Sequence, residues 1–321
     1  MFKNLVLISF ISLPLASENL LDIYNEALDN DPQYKSSEYS LLAGKEFVVQ
    51  GRAGLLPNVT LSGSTNWNEY YQFDELQSAY NNNSVSARLT QPLFRLDSWF
   101  NFKRSKKLTD ASEADFAYAQ QNLIIRTVEK YFGVLRAIDN LNAAVSEEKA
   151  IKKQLDQIQQ RFEVGLSAIT EVQEAQLAYD LSVAAKIRSE GALFNAREEL
   201  NSLIGREIFS IDSLKADIVP ENPNPTTKQE WVDIALKNNY RLQASVLRRD
   251  ASQDSARSSA SEHLPKINIV GTESESNTNQ YTYEGFEDLG FQAPSETQRK
   301  NYSLSLSIPI SQGGAVSSRR R

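Results

Sequence analysis

There is no cysteine in this chain, only one histidine (His263), one methionine and three tryptophans among 321 residues. The missing thiols exclude disulfide frameworks, thiolate zinc sites, iron–sulfur clusters and cysteine nucleophiles; a lone imidazole excludes multi-histidine metal centres. An excess of positive charge is missing too. Against 34 Lys and Arg stand 41 Asp and Glu, so the net charge is −7, which argues against nucleic acid as a partner. Apolar residues make up 40% of the chain and mean hydropathy is −0.45, too little for a bundle of membrane helices. No apolar run reaches the ~18 residues that a spanning helix requires. A membrane role would therefore have to be carried by β-strands. Gly-x-Ser-x-Gly elbows, phosphate loops and dinucleotide fingerprints are also absent. His263 just precedes a Leu-Pro step and reads as a turn residue rather than a base. The expectation is a protein without catalytic residues, cofactor or metal.

What is present begins with a targeting segment. Lys3 supplies a positive start, Leu5 to Leu15 is apolar except for Ser9, Ser12 and Pro14, and Ala16-Ser17 are small. Residues 1–17 read as a secretory signal peptide, too short to span a bilayer. Cleavage near Ser17–Glu18 removes Lys3 and takes the net charge from −7 to −8.

The chain also repeats itself. Ala27, Leu28 and Asn30 recur as Ala235, Leu236 and Asn238, an offset of 208 that also carries Leu56-Pro57 onto Leu264-Pro265, Val59 onto Ile267, Leu61 onto Ile269 and Gly63 onto Gly271. A constant offset over so long a stretch marks an internal duplication. The first repeat covers 18–209 and the second 229–321. Between them, 210–228 includes Pro220, Pro223 and Pro225 and reads as an extended linker.

Each repeat opens with helical spacing, over Leu20 to Asn30 and Trp231 to Asn239. A second helix follows, from Pro32 towards Gly51 or Gly54 and from Arg241 to about Glu262. Both end at Leu-Pro, because the residue before proline is pushed out of the α region. Alternation of period two then predicts strands at 58–69 and 84–93, and at 266–276 and 301–310. The segments Tyr70 to Asn83 and about Ser276 to Lys300, rich in Asn, Tyr, Glu and Gln, are expected to be loops. Ten residues tilted near 45° cover roughly 23 Å, the height of the apolar band of an outer-membrane barrel. Four strands cannot enclose water, and open edges are not tolerated in lipid. In lipid, several chains would have to share one barrel, and three would give twelve strands; the hairpin of a soluble β-sandwich has the same alternation.

From Leu93 to Val219 there is no proline. A helical hairpin is expected over 97–204, with Asp97 capping the first limb, Gly165 in the reversal, Ser167 or Thr170 capping the second limb, and Gly205 closing it. Its tip spans 163–171. Ile124, Val128, Tyr131, Leu135 and Ile138, and then Ile151, Leu155, Ile158 and Phe162, follow coiled-coil seam spacing with a shift of phase between them.

The stretch from Gln154 through Arg161-Phe-Glu-Val-Gly-Leu-Ser-Ala-Ile-Thr-Glu-Val-Gln173 to Asp180 resembles the helix-turn-helix tip of the TolC-like outer membrane efflux proteins. Similar matches are Glu18-Asn19-Leu20, Leu56-Pro57, Tyr131-Phe-Gly-Val-Leu135, His263-Leu-Pro265 and Ile308-Pro-Ile-Ser-Gln-Gly-Gly314. The resemblance implies a mixed α and β membrane protein. Four transmembrane strands per chain would contribute to a trimeric twelve-strand barrel in the outer membrane, and long coiled-coil helices would form a periplasmic tunnel. It implies a passive export duct whose partners are two further copies, a periplasmic adaptor protein, an inner-membrane efflux or ABC transporter, and outer-membrane lipid. Val164, Gly165 and Leu166 match the family's adaptor-docking tip. Gln154, Thr170 and Glu171 match positions of the periplasmic gate, with Glu171 standing where the family has Asp. After its second strand the second repeat has only Gln312 to Arg321, with no second helical hairpin. A C-terminally truncated chain is expected from this, with poor trimer assembly and seam residues such as Ile124 and Leu135 left without partners. The competing readings are a periplasmic coiled-coil interaction protein and an inert short form of the duct.

Overall fold

The computed structural model describes residues 18–214, 223–281 and 295–320. The signal segment, part of the linker and the centre of the last loop lie outside the described residues. Two compact units are formed, one from 18–40 and 115–239, the other from 41–114 and 240–320.

In the first unit, helix α1 (Leu20–Asn30) starts where the Asn19 side chain accepts from the backbone N–H groups of Leu21 and Asp22, at 2.9 and 3.0 Å. It stops at Asp31, held extended ahead of Pro32, and α2 (Pro32–Ala53) follows. Helix α3 (Leu96–Glu163) has 68 residues and α4 (Ile169–Ile204) has 36, giving lengths of ~100 and ~54 Å; residues 96–114 of α3, like 41–53 of α2, belong to the second unit. Ile23 and Ala27 of α1 are fully buried against Leu123, Tyr131, Val134 and Leu135 of α3 and Leu200, Leu203 and Ile204 of α4. The seam keeps the expected phase at Tyr131 and Leu135, both buried, but is shifted by one residue at its start. Leu123 and Thr127 are buried, whereas Ile124 is 48% exposed, because α1 packs on the side of α3 that they face. Leu135 also departs from expectation, since its own chain buries it. The backbone of Glu18 bridges to Ile211, and the buried Tyr131 hydroxyl donates to the Asp212 carbonyl at 2.8 Å. Helix α5 (Lys228–Asn238) repeats the capping logic of α1, with Thr227 accepting from Glu230, but it buries no residue.

The second unit is built on four antiparallel strands in the order β1 (Asn58–Gln72), β2 (Glu75–Phe94), β3 (Lys266–Tyr281) and β4 (Ser295–Ser307). Helix α6 (Tyr240–Ala260) and a 3₁₀ turn at Ser261–His263 lead into β3, and α7 (Ala315–Arg320) follows β4. The expected loop from Tyr70 to Asn83 is instead strand, closed by the two-residue turn Phe73-Asp74, both at positive φ. Likewise 276–281 and 295–300 are strand. Polarity on both faces had the signature of a loop, yet a strand standing in water on both sides has the same composition. At its other end β4 stops at Ser307, short of Ile308-Pro309, since proline cannot donate to a ladder. The 3₁₀ turn presents His263 to the Pro309 carbonyl at 3.2 Å.

Small residues let α2 approach α3 closely. A Cβ at Gly44 would lie 2.3 Å from the Ser112 hydroxyl, and one at Gly51 would lie 2.5 Å from that of Ser105. Thr109 donates to the Gly44 carbonyl at 2.9 Å.

Candidate functional site

Alternation sorts the sheet into two faces. Val59, Leu61 and Trp67 of β1, Val85 and Leu89 of β2, Ile269 of β3 and Tyr302, Leu304 and Leu306 of β4 share one face, all of them exposed in the single chain. The other face carries Thr60, Ser62, Ser64, Ser84, Ser86, Ser274, Ser303 and Ser305, with Ser64 and Ser84 hydroxyls 2.9 Å apart. The apolar stretch does not follow the hydrogen-bonded rows. On β1 it centres on Gly63, whose row runs through Val85 and Glu275 to Gln298, yet on β4 it centres on Leu304, six residues farther along. Six residues over three strand spacings is a slant of roughly 50°, close to the tilt of strands in a lipid-spanning barrel. A flat slab of apolar surroundings cutting across tilted strands produces such a drift. It also explains Glu273 and Lys300, paired at 2.8 Å on the apolar face: both lie past the band. Trp67 and Tyr302 sit on its distal rim, where aromatic girdles are found. Tyr302 covers Gly271, its ring 3.3 Å from where a Cβ would be. The outer edges of β1 and β4 have no partner among the described residues.

At the helix end of the sheet, Asp97 ties two junctions together. It does not cap α3, which begins at Leu96; its carboxylate instead accepts from Arg95 at 2.9 and 2.8 Å and pairs with Lys266 at 3.1 Å. Burial pushes the carboxyl up, but Arg95, Lys266 and the Ser98 backbone outweigh it and hold it at about 2.

The tip of the α3–α4 hairpin belongs to the first unit. Gly165 is at φ 77°; its N–H bonds the Phe162 carbonyl at 2.9 Å, and the Leu166 N–H bonds the Arg161 carbonyl at 2.8 Å. This pair of bonds is a Schellman stop, which needs a left-handed residue at Gly165. The turn leaves Val164 69%, Leu166 70% and Ile169 52% exposed. Neither Ser167 nor Thr170 caps α4. Ala168 occupies that position with no side-chain bond, and the Ser167 hydroxyl donates to the Glu171 carboxylate instead. Gln154 and Thr170 are exposed on separate limbs, and among the described residues neither side chain makes a hydrogen bond. Away from the tip the limbs are joined by Lys152 over the Tyr179 ring at 5.1 Å, Glu148 to Lys186 at 3.1 Å, and Lys130 to the Glu199 carbonyl at 2.8 Å. Leu155 of α3 and Ser182 of α4 are buried, and the Ser182 hydroxyl donates to the Tyr179 carbonyl at 2.7 Å.

Sequence reasoning missed two anchoring clusters. Asp31 caps α2 through the Tyr34 N–H at 3.1 Å and also pairs with Arg126. Arg206 grips Glu26 at 2.6 and 2.7 Å and Glu18 at 2.9 Å. Each joins residues about 95 or more apart in sequence, and no local spacing signals such a pair. Among the described residues no group of acidic or imidazole side chains could hold a metal ion, and no helix is long and apolar enough to cross a membrane.

The model of the outer membrane efflux protein family matches residues 23–206 and 231–321. Outer membrane protein TolC of Vibrio cholerae is 30% identical over 313 residues, covering 96% of this chain and 68% of that protein. TolC of Escherichia coli K12 is 32% identical, over 98% of this chain and 64% of its own length. The CmeC outer membrane channel of Campylobacter jejuni superposes with a TM-score of 0.75 at 17% identity, over 95% of this chain and 64% of that one. The chain thus spans about two thirds of the length of the relatives it matches. On these matches, together with the slanted apolar band and the long helical hairpin, the chain belongs to the outer membrane efflux protein family.

Proposed function

We propose that this chain is the subunit of an outer-membrane export duct for efflux or type I secretion. Three copies close their sheets into a twelve-strand barrel, apolar face to lipid and hydroxyl face to water, while the α3–α4 hairpins line a periplasmic passage. The observation that carries this reading is the slanted apolar band on a four-stranded sheet with two open edges. Lipid does not tolerate unpaired backbone groups, so neighbouring copies must supply the missing partners. No chemistry is performed; the duct conducts. The exposed tip Val164-Gly165-Leu166 docks a periplasmic adaptor that recruits an inner-membrane pump, and Gln154, Thr170 and Glu171 contribute to the periplasmic gate.

The reading is tested by expressing the full chain with its signal segment, fractionating membranes, and recording from the purified protein in planar bilayers. Heat-modifiable oligomers in the outer membrane and discrete ion conductance are expected. A water-soluble periplasmic monomer without conductance would overturn it in favour of an interaction protein.

A further inference from the structure

Register sorts the carboxylates of the sheet onto one face. Along the rows that start between Asn58 and Glu69 of β1, the hydroxyl face carries Arg88 of β2 and Arg299 of β4, and no carboxylate among the described residues. Glu69, Glu273, Glu275 and Glu296 all fall on the apolar face. Asp74 and Glu75 stand beyond these rows, at the hairpin turn. Lys266, at the helix end, shares the hydroxyl face but is paired with Asp97. Arg88 and Arg299 are exposed and make no ion pair among the described residues.

The slant of the apolar band sets their levels. The band drifts six residues between Gly63 on β1 and Leu304 on β4, two per strand, which puts Ala87 of β2 level with both. Arg88 therefore stands at the middle of the band. Arg299 precedes Leu304 by five residues, which places it roughly 12 Å farther from the helices along the axis of a barrel with tilted strands. A charge at mid-band is tolerated only where water reaches it. Arg88 meets this condition on the hydroxyl face, with Thr60 and Thr272 beside it in its own row.

Closure of three copies turns each arginine into a ring. Twelve strands ~4.8 Å apart and tilted near 45° make a barrel of roughly 13 Å radius. Arginines projecting inward from that wall bring their charges within a Debye length of the axis, ~10 Å at about 0.1 M salt. Rings of basic side chains favour anions in a pore. We propose that the barrel passage is anion-selective, with Arg88 as the selecting ring and Arg299 as a second ring toward the outer mouth. The duct then passes anionic solutes more readily than cations of the same size. This proposal rests on the reading of the chain as a trimeric duct.

The test records reversal potentials of the full chain, purified as heat-modifiable oligomers, in planar bilayers under a gradient of KCl, whose two ions diffuse alike. Chloride is expected to be about fivefold more permeant than potassium at about 0.1 M salt, and under about twofold near 1 M, where the Debye length shrinks to ~3 Å. Arg88→Gln should lower the ratio about threefold, and Arg88→Lys, which keeps the charge, should retain it. Arg299→Gln should lower the ratio less. Lys300→Gln, next in the chain but on the opposite face, should leave it unchanged. A preference for potassium, or none, in the parent chain would overturn the proposal while discrete conductance upholds the duct. So would a ratio that Arg88→Gln does not move, or that Lys300→Gln moves equally. Oligomers without any conductance would sink the duct reading itself, and this proposal with it.

Discussion

Three residues hold conformations or charges that their neighbours make costly to change. Gly165 ends α3 in a left-handed conformation at φ 77°, which a side chain adopts at a cost of about 1–2 kcal/mol. Gly165→Ala should lower the chemical denaturation midpoint accordingly without changing the exposure of Val164 and Leu166. Gly51 faces Ser105 with no room for a Cβ. Gly51→Ala should cost about 1–3 kcal/mol by overpacking, and less when Ser105→Gly has first vacated the space; a double-mutant cycle reads the difference. Asp97 is held at about 2 by Arg95 and Lys266 against its burial. A depressed carboxyl pKa stabilises the folded chain above its unfolded value of about 4 and loses that contribution as pH falls through about 2. Allowing for solvent screening, Asp97→Asn should cost about 1 kcal/mol at neutral pH. Its stability deficit against the parent chain should vanish in urea titrations below pH ~2.

Among the elements, the α3–α4 hairpin shows how packing chooses among phases that a sequence leaves open. Leu123 and Ile124 are adjacent apolar residues on a long helix, and either fits a seam. The position of α1 decides: Ile23 and Ala27 pack where Leu123 and Thr127 face, and Ile124 is left outside. Leu123→Ala should therefore cost about 2–5 kcal/mol and Ile124→Ala under about 1 kcal/mol in the isolated chain, as measured by thermal unfolding. Equal costs would contradict the phase seen here. Helix α5 makes the complementary point. It matches α1 in sequence, yet Trp231 and Ala235 are exposed where α1 buries Ile23 and Ala27. Amphipathic spacing predicted a helix at both places; only a packed neighbour makes one of them core.

For the whole molecule, the sheet sets the consequences. On β1, Leu61 lies within the apolar band and Ser62 on the hydroxyl face. On the proposed duct reading, Leu61→Lys should destabilise membrane assembly by about 2–4 kcal/mol, and Ser62→Lys should alter conductance with little effect on assembly. Heat-modifiability on gels and single-channel recording separate the two outcomes.

Much of this architecture was legible in the residues alone. Alternation of Val, Leu and Ile with Ser and Thr marked four strands, the Leu-Pro steps marked helix ends, and a proline-free stretch with Gly165 and Gly205 marked a hairpin, because these signals are local. The polar continuations of the strands past Tyr70 and Ser276 were not legible, since a strand in water on both faces and a loop draw on the same residues. Nor was the slant of the apolar band, which exists only once the register joins Gly63 to Gln298. The pairs of Arg126 with Asp31 and of Arg206 with Glu26 join residues 95 and 180 apart in the chain. Period and punctuation, fixed by backbone sterics within a few residues, determined which segments are helix or strand. Register, seam phase and the meeting of distant charges depend on which surfaces bury one another, and that was decided in three dimensions.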